Sequence, residues 1–277
     1  MLSLSHRHED GARLASLLWE LGPGWRAISS AMLGGGIGPV EWVLNAQVVG
    51  AYSRMDPVEH LLELAPRGRG VGMLTAASVD RYTQARDGGV DAVATVGLRV
   101  PTWAASPEGV PDPELRELRE LRELREVPEF REVPEFRELR EIGETSEIAE
   151  LGEPAGSAGS AGSVGSAEPR PVDGLVPRPA FPPPGTINII VAVPVAMSDA
   201  ALVNAVMTVT EAKAQALAEA GYACTGTASD AVCVAARTDG SEEPFGGPRS
   251  TWGARIARAV HQCVLTGATT WADAHHC

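Results

Sequence analysis

A chain of 277 residues holds one large domain or two small ones; its 44% hydrophobic and 21% charged content is that of an ordinary globular protein, with aromatics at only 5%. The net charge of −13 is uneven, since residues 112–153 carry 15 acidic against 7 basic side chains, and the balance leaves no basic footprint for nucleic acid. No apolar run reaches the roughly 18 residues of a membrane span and the start lacks the apolar stretch of a secretion signal, so a cytoplasmic chain with Cys224, Cys233, Cys263 and Cys277 reduced is expected.

Residues 10–21 read as a short helix, with Asp10 as its cap and Leu14, Leu17, Leu18 and Leu21 at helical spacing. Gly22-Pro23-Gly24 ends it. Strands are expected at 27–33 and 40–49, joined by the turn Gly34-Gly35-Gly36-Ile37-Gly38-Pro39, and again at 71–76 and 90–98. A polar helix or loop fills 78–86. Asp56-Pro57 reads as a turn or helix start capped by Asp56. His60 and His261 stand singly on helical patterns and are expected to be partly exposed.

The character changes over 106–184. Glu recurs at every third position from Glu114 to Glu153. On an α-helix such a repeat drifts by about 60° per step, so no apolar stripe forms, and Pro128 and Pro134 would interrupt a helix in any case. A Gly/Ser/Ala run (155–167) and a Pro-rich run (169–184) follow, both of linker composition. The whole stretch is expected to be a disordered low-complexity insert, with a partner-docking arm as the functional alternative.

Order is expected to resume at Gly185. Residues 186–195 form a β-branched run suited to a buried strand, and 198–221 form a helix with Ser198 as N-cap and Gly221 at its stop. A strand at 230–236 and a helix at 249–265, with Ile256, Ala259, Val260 and Cys263 on one face, complete the chain. This order predicts an α/β fold: a layered, mixed β-sheet packed with helices, in one globular domain whose parts 1–105 and 185–277 flank the insert.

Three groups could carry chemistry. Asn204, Thr208, Glu211 and Gln215 share one face of the long helix, which is either solvated or a wall for an amide-rich ligand. Cys224-Thr225-Gly226-Thr227-Ala228-Ser229-Asp230 gathers hydroxyls and a carboxylate between helix and strand. Ser29, Ser30, Gly35 and Asn45 form a comparable group early in the chain. There is no dinucleotide fingerprint, phosphate loop, nucleophile elbow or zinc spacing, and no metal site is expected. His275-His276-Cys277 reads as a polar tail.

Seven segments in order resemble the adenosylcobinamide amidohydrolase family: AISSAMLGGGIG (27–38), WVLNAQVVGAYSRMDP (42–57), GVGMLTAA (70–77), AVATVGL (92–98), GTINIIVAVPVAMSDAALVNAVMTVTEAKAQAL (185–217), GYACTGTASDAVCVA (221–235) and GGPRSTWGARIARAV (246–260). TEAKAQAL followed closely by TGTASDAVCVA is the most specific signature. The resemblance implies hydrolysis of the amide between the aminopropanol arm and a corrin propionate, giving adenosylcobyric acid for cobamide salvage. The expected partner is a small-molecule corrinoid, with no nucleic acid and no membrane; a homo-oligomer stays open. No cofactor is expected, since the cobalt belongs to the substrate. One stretch departs from the family pattern: Arg249, in Gly247-Pro248-Arg249-Ser250-Thr251-Trp252-Gly253, stands where relatives carry His, so no His serves as a proton shuttle there.

Catalytic roles are argued from chemistry. Amide hydrolysis needs an activated nucleophile, a donor to the oxyanion and an acid for the leaving amine. Glu211 or Asp230 is expected to activate water, or Thr227 to act as a covalent nucleophile. Substrate contacts are expected from Ser29, Ser30, Gly35, Asn45, Thr95, Asn188, Asn204, Thr208, Thr225 and Gly226. The alternatives are a non-catalytic corrinoid-binding protein and an amidohydrolase for another amide-bearing metabolite.

Overall fold

The computed structural model describes residues 1–106 and 185–274, and the expected insert lies outside these residues except for Ser106. The chain opens on a hairpin. Strands β1 (Leu2–Glu9) and β2 (Ala12–Glu20) pair antiparallel around Asp10-Gly11, whose φ values of 51° and 72° are both left-handed. Asp-Gly favours this two-residue turn because Gly carries no Cβ and Asp tolerates the conformation. The helix expected over 10–21 is therefore corrected to a strand, and Asp10 turns the hairpin instead of capping a helix. Its leucines mimic helical spacing because β2 is covered on both faces: Ala15, Leu17 and Trp19 pack on one side and Leu18 on the other.

Strands β3 (Trp25–Ser29), β4 (Gly36–Pro39) and β5 (Trp42–Gln47) follow, so the expected glycine turn itself contains a short strand. Helix α1 (Pro57–Leu64) leads to β6 (Gly70–Thr75). The stretch read as polar helix or loop is a single 3-10 turn, Val79–Arg81, and then β7 (Thr83–Asp87), which pairs with β8 (Val90–Val96). After residue 185 come β9 (Ile187–Ala196), α2 (Asp199–Glu219), β10 (Ala231–Arg237) and α3 (Thr251–Ala274). Ser198 Oγ caps α2 by accepting from the Ala201 N–H at 3.1 Å, and Ser250 does the same for α3 through Gly253.

Two mixed sheets result, one ordered β1-β2-β5-β6 and the other β4-β3-β10-β9-β8-β7. On one face of the larger sheet, Ile187, Ile189, Val191 and Val193 pack against α2 and α3. On its other face, Ile190, Cys233 and Ala235 meet Val43, Val71 and Met73 of the smaller sheet. Helix α1 covers the far side of the smaller sheet, where Leu61 packs on Trp42, Leu44 and Ala46. The layered, mixed α/β architecture is the one expected. Strand β9 is buried on both faces, which is why its sequence is a continuous β-branched run instead of an alternating one.

His60 differs from expectation: it is 1% exposed, because α1 lays it between the hairpin and the loop that precedes the helix. Its Nε2 stands 2.7 Å from Glu9 Oε1 and its Nδ1 3.0 Å from Tyr52 Oη. Asp56 occupies the N-cap position, yet its carboxylate binds Arg54 and no helix N–H. His261 is partly exposed, as expected, 2.8 Å from Glu219. Cys224, Cys233 and Cys263 are unpaired and buried; burial pushes the first and third thiols up to about 11 and the second up to about 12. Among the described residues no helix is long and apolar enough to cross a membrane.

Two outcomes follow. His60→Leu, which removes the partner of Glu9 and Tyr52, should lower stability by about 1–3 kcal/mol in urea unfolding. Because thiolate is the reactive form, these three buried thiols should resist iodoacetamide at pH 8 and react only once the protein is unfolded.

Candidate active site

Lys213 lies four residues after Val209 and just before Ala216 and Leu217, so helical spacing turns it toward the buried side of α2. It is 7% exposed. A buried ammonium must be compensated, and Lys213 Nζ meets Asp230 Oδ2 at 2.5 Å. Asp230 precedes β10 and gathers three more donors. Its Oδ1 accepts from the Ile187 N–H at 2.9 Å and from Thr227 Oγ1 at 2.5 Å, and its Oδ2 also accepts from the Thr227 N–H at 3.1 Å. One carboxylate thus ties together α2, the start of β9 and its own loop.

Gly226 covers this pair, and its lack of a side chain is required by space: a Cβ there would lie 2.2 Å from Asp230 Oδ2 and 2.5 Å from Lys213 Nζ. The loop is held from outside by a strap that follows β8. Thr102 donates its N–H to Gly226 O at 2.8 Å, Thr225 donates its N–H to Thr102 O at 3.1 Å, and the Ala104 N–H donates to Thr225 Oγ1 at 2.8 Å. Ser229 Oγ lies 2.7 Å from Thr186 Oγ1.

A second, neutral cluster begins one residue along β9. Asn188 pairs in register with Thr95 on β8 and Ala231 on β10, and its side chain lies between the sheets. Its amide nitrogen donates to Asn45 Oδ1 at 2.8 Å and to Leu74 O at 3.1 Å, while Asn45 donates to Thr95 Oγ1 at 2.9 Å. All three side chains are buried, and Asn188 Oδ1 has no partner among the described residues. A buried carbonyl left this way costs about 1–3 kcal/mol until a donor reaches it.

The fold thus brings Thr225, Gly226, Thr227 and Asp230 into one loop, and Asn45, Thr95 and Asn188 into one network. The other expected site residues stand elsewhere. Ser29 and Ser30 tie β3 to β10, Ser29 Oγ donating to Val232 O and Ser30 Oγ accepting from the Val232 N–H, each at 3.0 Å. Gly35 lines a cleft of 320 Å³ with Leu33, Gly34, Ile37, Arg69 and Gly70, and none of the residues of the two clusters lines it. The polar face of α2 divides. Thr208 is buried and donates to Gly246 O at 2.9 Å, and Asn204 lies beside Gly247, so this end is covered by the segment before α3. Glu211 and Gln215 are exposed, with Glu211 about 200° around the helix from Lys213. Sequence reading overlooked Lys213; the available signal was a lone cation at an apolar position of the helix.

The array can polarise a hydroxyl. A carboxylate accepts about four hydrogen bonds, and Asp230 already has four, so it holds no free site for an attacking water. The group it does engage is the Thr227 hydroxyl. Among the described residues no three His, Cys, Asp or Glu side chains converge as a metal site would require.

Compared with known proteins, the chain matches the family model for adenosylcobinamide amidohydrolase over residues 1–133 and 147–276. An adenosylcobinamide amidohydrolase of Halobacterium salinarum is 41% identical over 95 residues, which are 34% of this chain and 40% of that protein. One of Methanosarcina mazei is 39% identical over 92 residues, 30% of this chain and 46% of that protein. The aligned chain therefore spans less than half the length of either relative.

Removing one partner of the buried pair tests the clamp. Lys213→Met should cost about 3 kcal/mol of stability in urea unfolding, and adding Asp230→Asn to it should recover part of that loss. Gly226→Ala should also destabilise, by about 1–3 kcal/mol, because its Cβ overlaps the pair.

Proposed function

Because this chain belongs to the adenosylcobinamide amidohydrolase family, we propose that it hydrolyses the amide joining the aminopropanol arm to the corrin ring of adenosylcobinamide, releasing adenosylcobyric acid and aminopropanol for cobamide salvage. The observation that carries this reading is the Lys213–Asp230–Thr227 array. It offers a polarised hydroxyl next to fixed charge, in a loop whose neutral hydroxyls and backbone amides suit a substrate with a rim of carboxamides.

In the proposed reaction Thr227 Oγ1 attacks the amide carbon and its proton moves to Asp230 Oδ1, 2.5 Å away. Lys213 holds Asp230 in place and supplies positive charge near the developing oxyanion. The C–N bond breaks as the proton passes to the leaving amine, and water then hydrolyses the threonyl ester, restoring the hydroxyl. Thr225 orients the loop through the strap. Asn188, buried between the sheets with Asn45 and Thr95, is proposed to fix β9 in place and not to touch the substrate. Glu211 takes no part, since it is exposed on the opposite side of α2. The protein is proposed to act in the cytoplasm and to need no cofactor beyond the cobalt carried by the substrate.

A second reading is favoured by one observation. Four donors on Asp230 also suit a purely structural clamp, as in a corrinoid-binding protein without turnover.

Incubation with adenosylcobinamide and mass spectrometry of the products separates the two. The hydrolase reading expects adenosylcobyric acid and free aminopropanol at a rate untouched by EDTA; binding without release of aminopropanol supports the binding protein. Thr227→Ala should lower kcat by about 100-fold or more, Thr227→Ser should keep it within about tenfold, and quenched turnover should show a mass adduct on the wild-type chain. Glu211→Gln should leave kcat within about twofold, as expected of an exposed side chain far from the chemistry.

A further inference from the structure

We infer that Trp103 is the platform on which the flat face of the macrocycle rests, an inference that depends on the corrinoid reading above. Of the six tryptophans, Trp42 is buried and Trp19, Trp25, Trp252 and Trp271 are half-buried, packed in core clusters or under arginine guanidinium groups. Trp103 is the exposed one, at 47%. An indole left in water is unfavourable unless it has something to cover.

Its backbone is rigidly placed. Thr102 before it exchanges two hydrogen bonds with the 225–226 stretch, and Ala104 after it donates to the Thr225 hydroxyl. Pro101 is buried just upstream and restricts the chain further. Trp103 is therefore pinned, on both sides, to the loop that carries Thr227. Such preorganisation leaves only two side-chain torsions to be ordered when a ligand lands.

The chemistry around the loop supplies the second half of the case. Thr225, Gly226, Thr227, Ser229, Asp230 and Lys213 offer hydroxyls, an amide backbone and a buried ion pair, but no apolar surface. A corrin needs both: hydrogen bonds for its carboxamide rim and a flat apolar partner for its face. Trp103 is the residue next to the loop that provides the latter. It is a substrate-contact residue, with no part in bond breaking.

Titrating the full-length protein with adenosylcobinamide by ultrafiltration, alongside aminopropanol release, reads Kd, KM and kcat together. Trp103→Ala should raise Kd and KM by about tenfold or more, the scale seen when a stacked aromatic is removed from beneath a planar ligand, and leave kcat within about threefold. Trp103→Phe should recover most of the affinity, and Trp103→Leu, apolar but not planar, should recover less; these two also stand in if the alanine variant is insoluble. Unchanged Kd and KM in all three variants, while the wild type turns over, overturns the platform and leaves the hydrolase reading standing. A fall in kcat at constant KM likewise overturns it, reassigning Trp103 to loop positioning. A wild-type protein that neither binds nor cleaves adenosylcobinamide sinks both.

Discussion

A carboxylate largely withdrawn from water has to be compensated by other donors, and the arrangement around Asp230 follows from that demand. Its four donors come from three parts of the chain: a helix lysine, the first amide of a central strand, and the hydroxyl and amide of its own loop. Each is drawn to a fixed position by the same charge. Taking any one away leaves the carboxylate under-solvated in a low-dielectric setting, where a missing partner costs more than the contact contributes. The clamp also explains why residue 226 is glycine, since the backbone passes too close to the ion pair for a Cβ.

That clamp and the neutral amide network share strand β9. Ile187 gives its N–H to Asp230, while the side chain of the next residue, Asn188, lies between the sheets among Asn45, Thr95 and the carbonyl of Leu74. The first contact uses a backbone N–H at the start of the strand and the second a side chain, so one strand supplies a charged cluster and a neutral one without the two competing for partners. An interface between sheets that is otherwise apolar tolerates these amides because they satisfy one another, apart from a single carbonyl oxygen. The proposed reaction uses the charged cluster, while the neutral one holds the two sheets together.

The strap after β8 adds a further constraint. It ties residues 102–104 to the loop at 225–226, joining positions more than a hundred residues apart in sequence. The hydroxyl of Thr225 takes part in this tie, accepting from the Ala104 N–H and donating to Thr102 O. Ser29 and Ser30 likewise bond to the backbone of β10, through the Val232 carbonyl and N–H.

What the sequence by itself determined lies in segments whose patterns admit one physical solution. The β-branched run of β9, the Ser198-capped helix and the apolar strand at β10 were legible because their burial and capping signals are local. The family signature was legible too, and with it the segments that hold Thr225, Gly226, Thr227 and Asp230. Only the tertiary structure decided the rest. Residues 10–21 became a strand because β1 and β5 cover its edges and two layers cover its faces, information absent from leucine spacing alone. His60 was buried by the docking of α1, and Glu211 was set on the outer face of the helix whose inner face carries Lys213. The partnership of Lys213 with Asp230 spans a helix, a turn and a loop, and electrostatic compensation between such residues depends on distance in space, which periodicity along a chain does not encode.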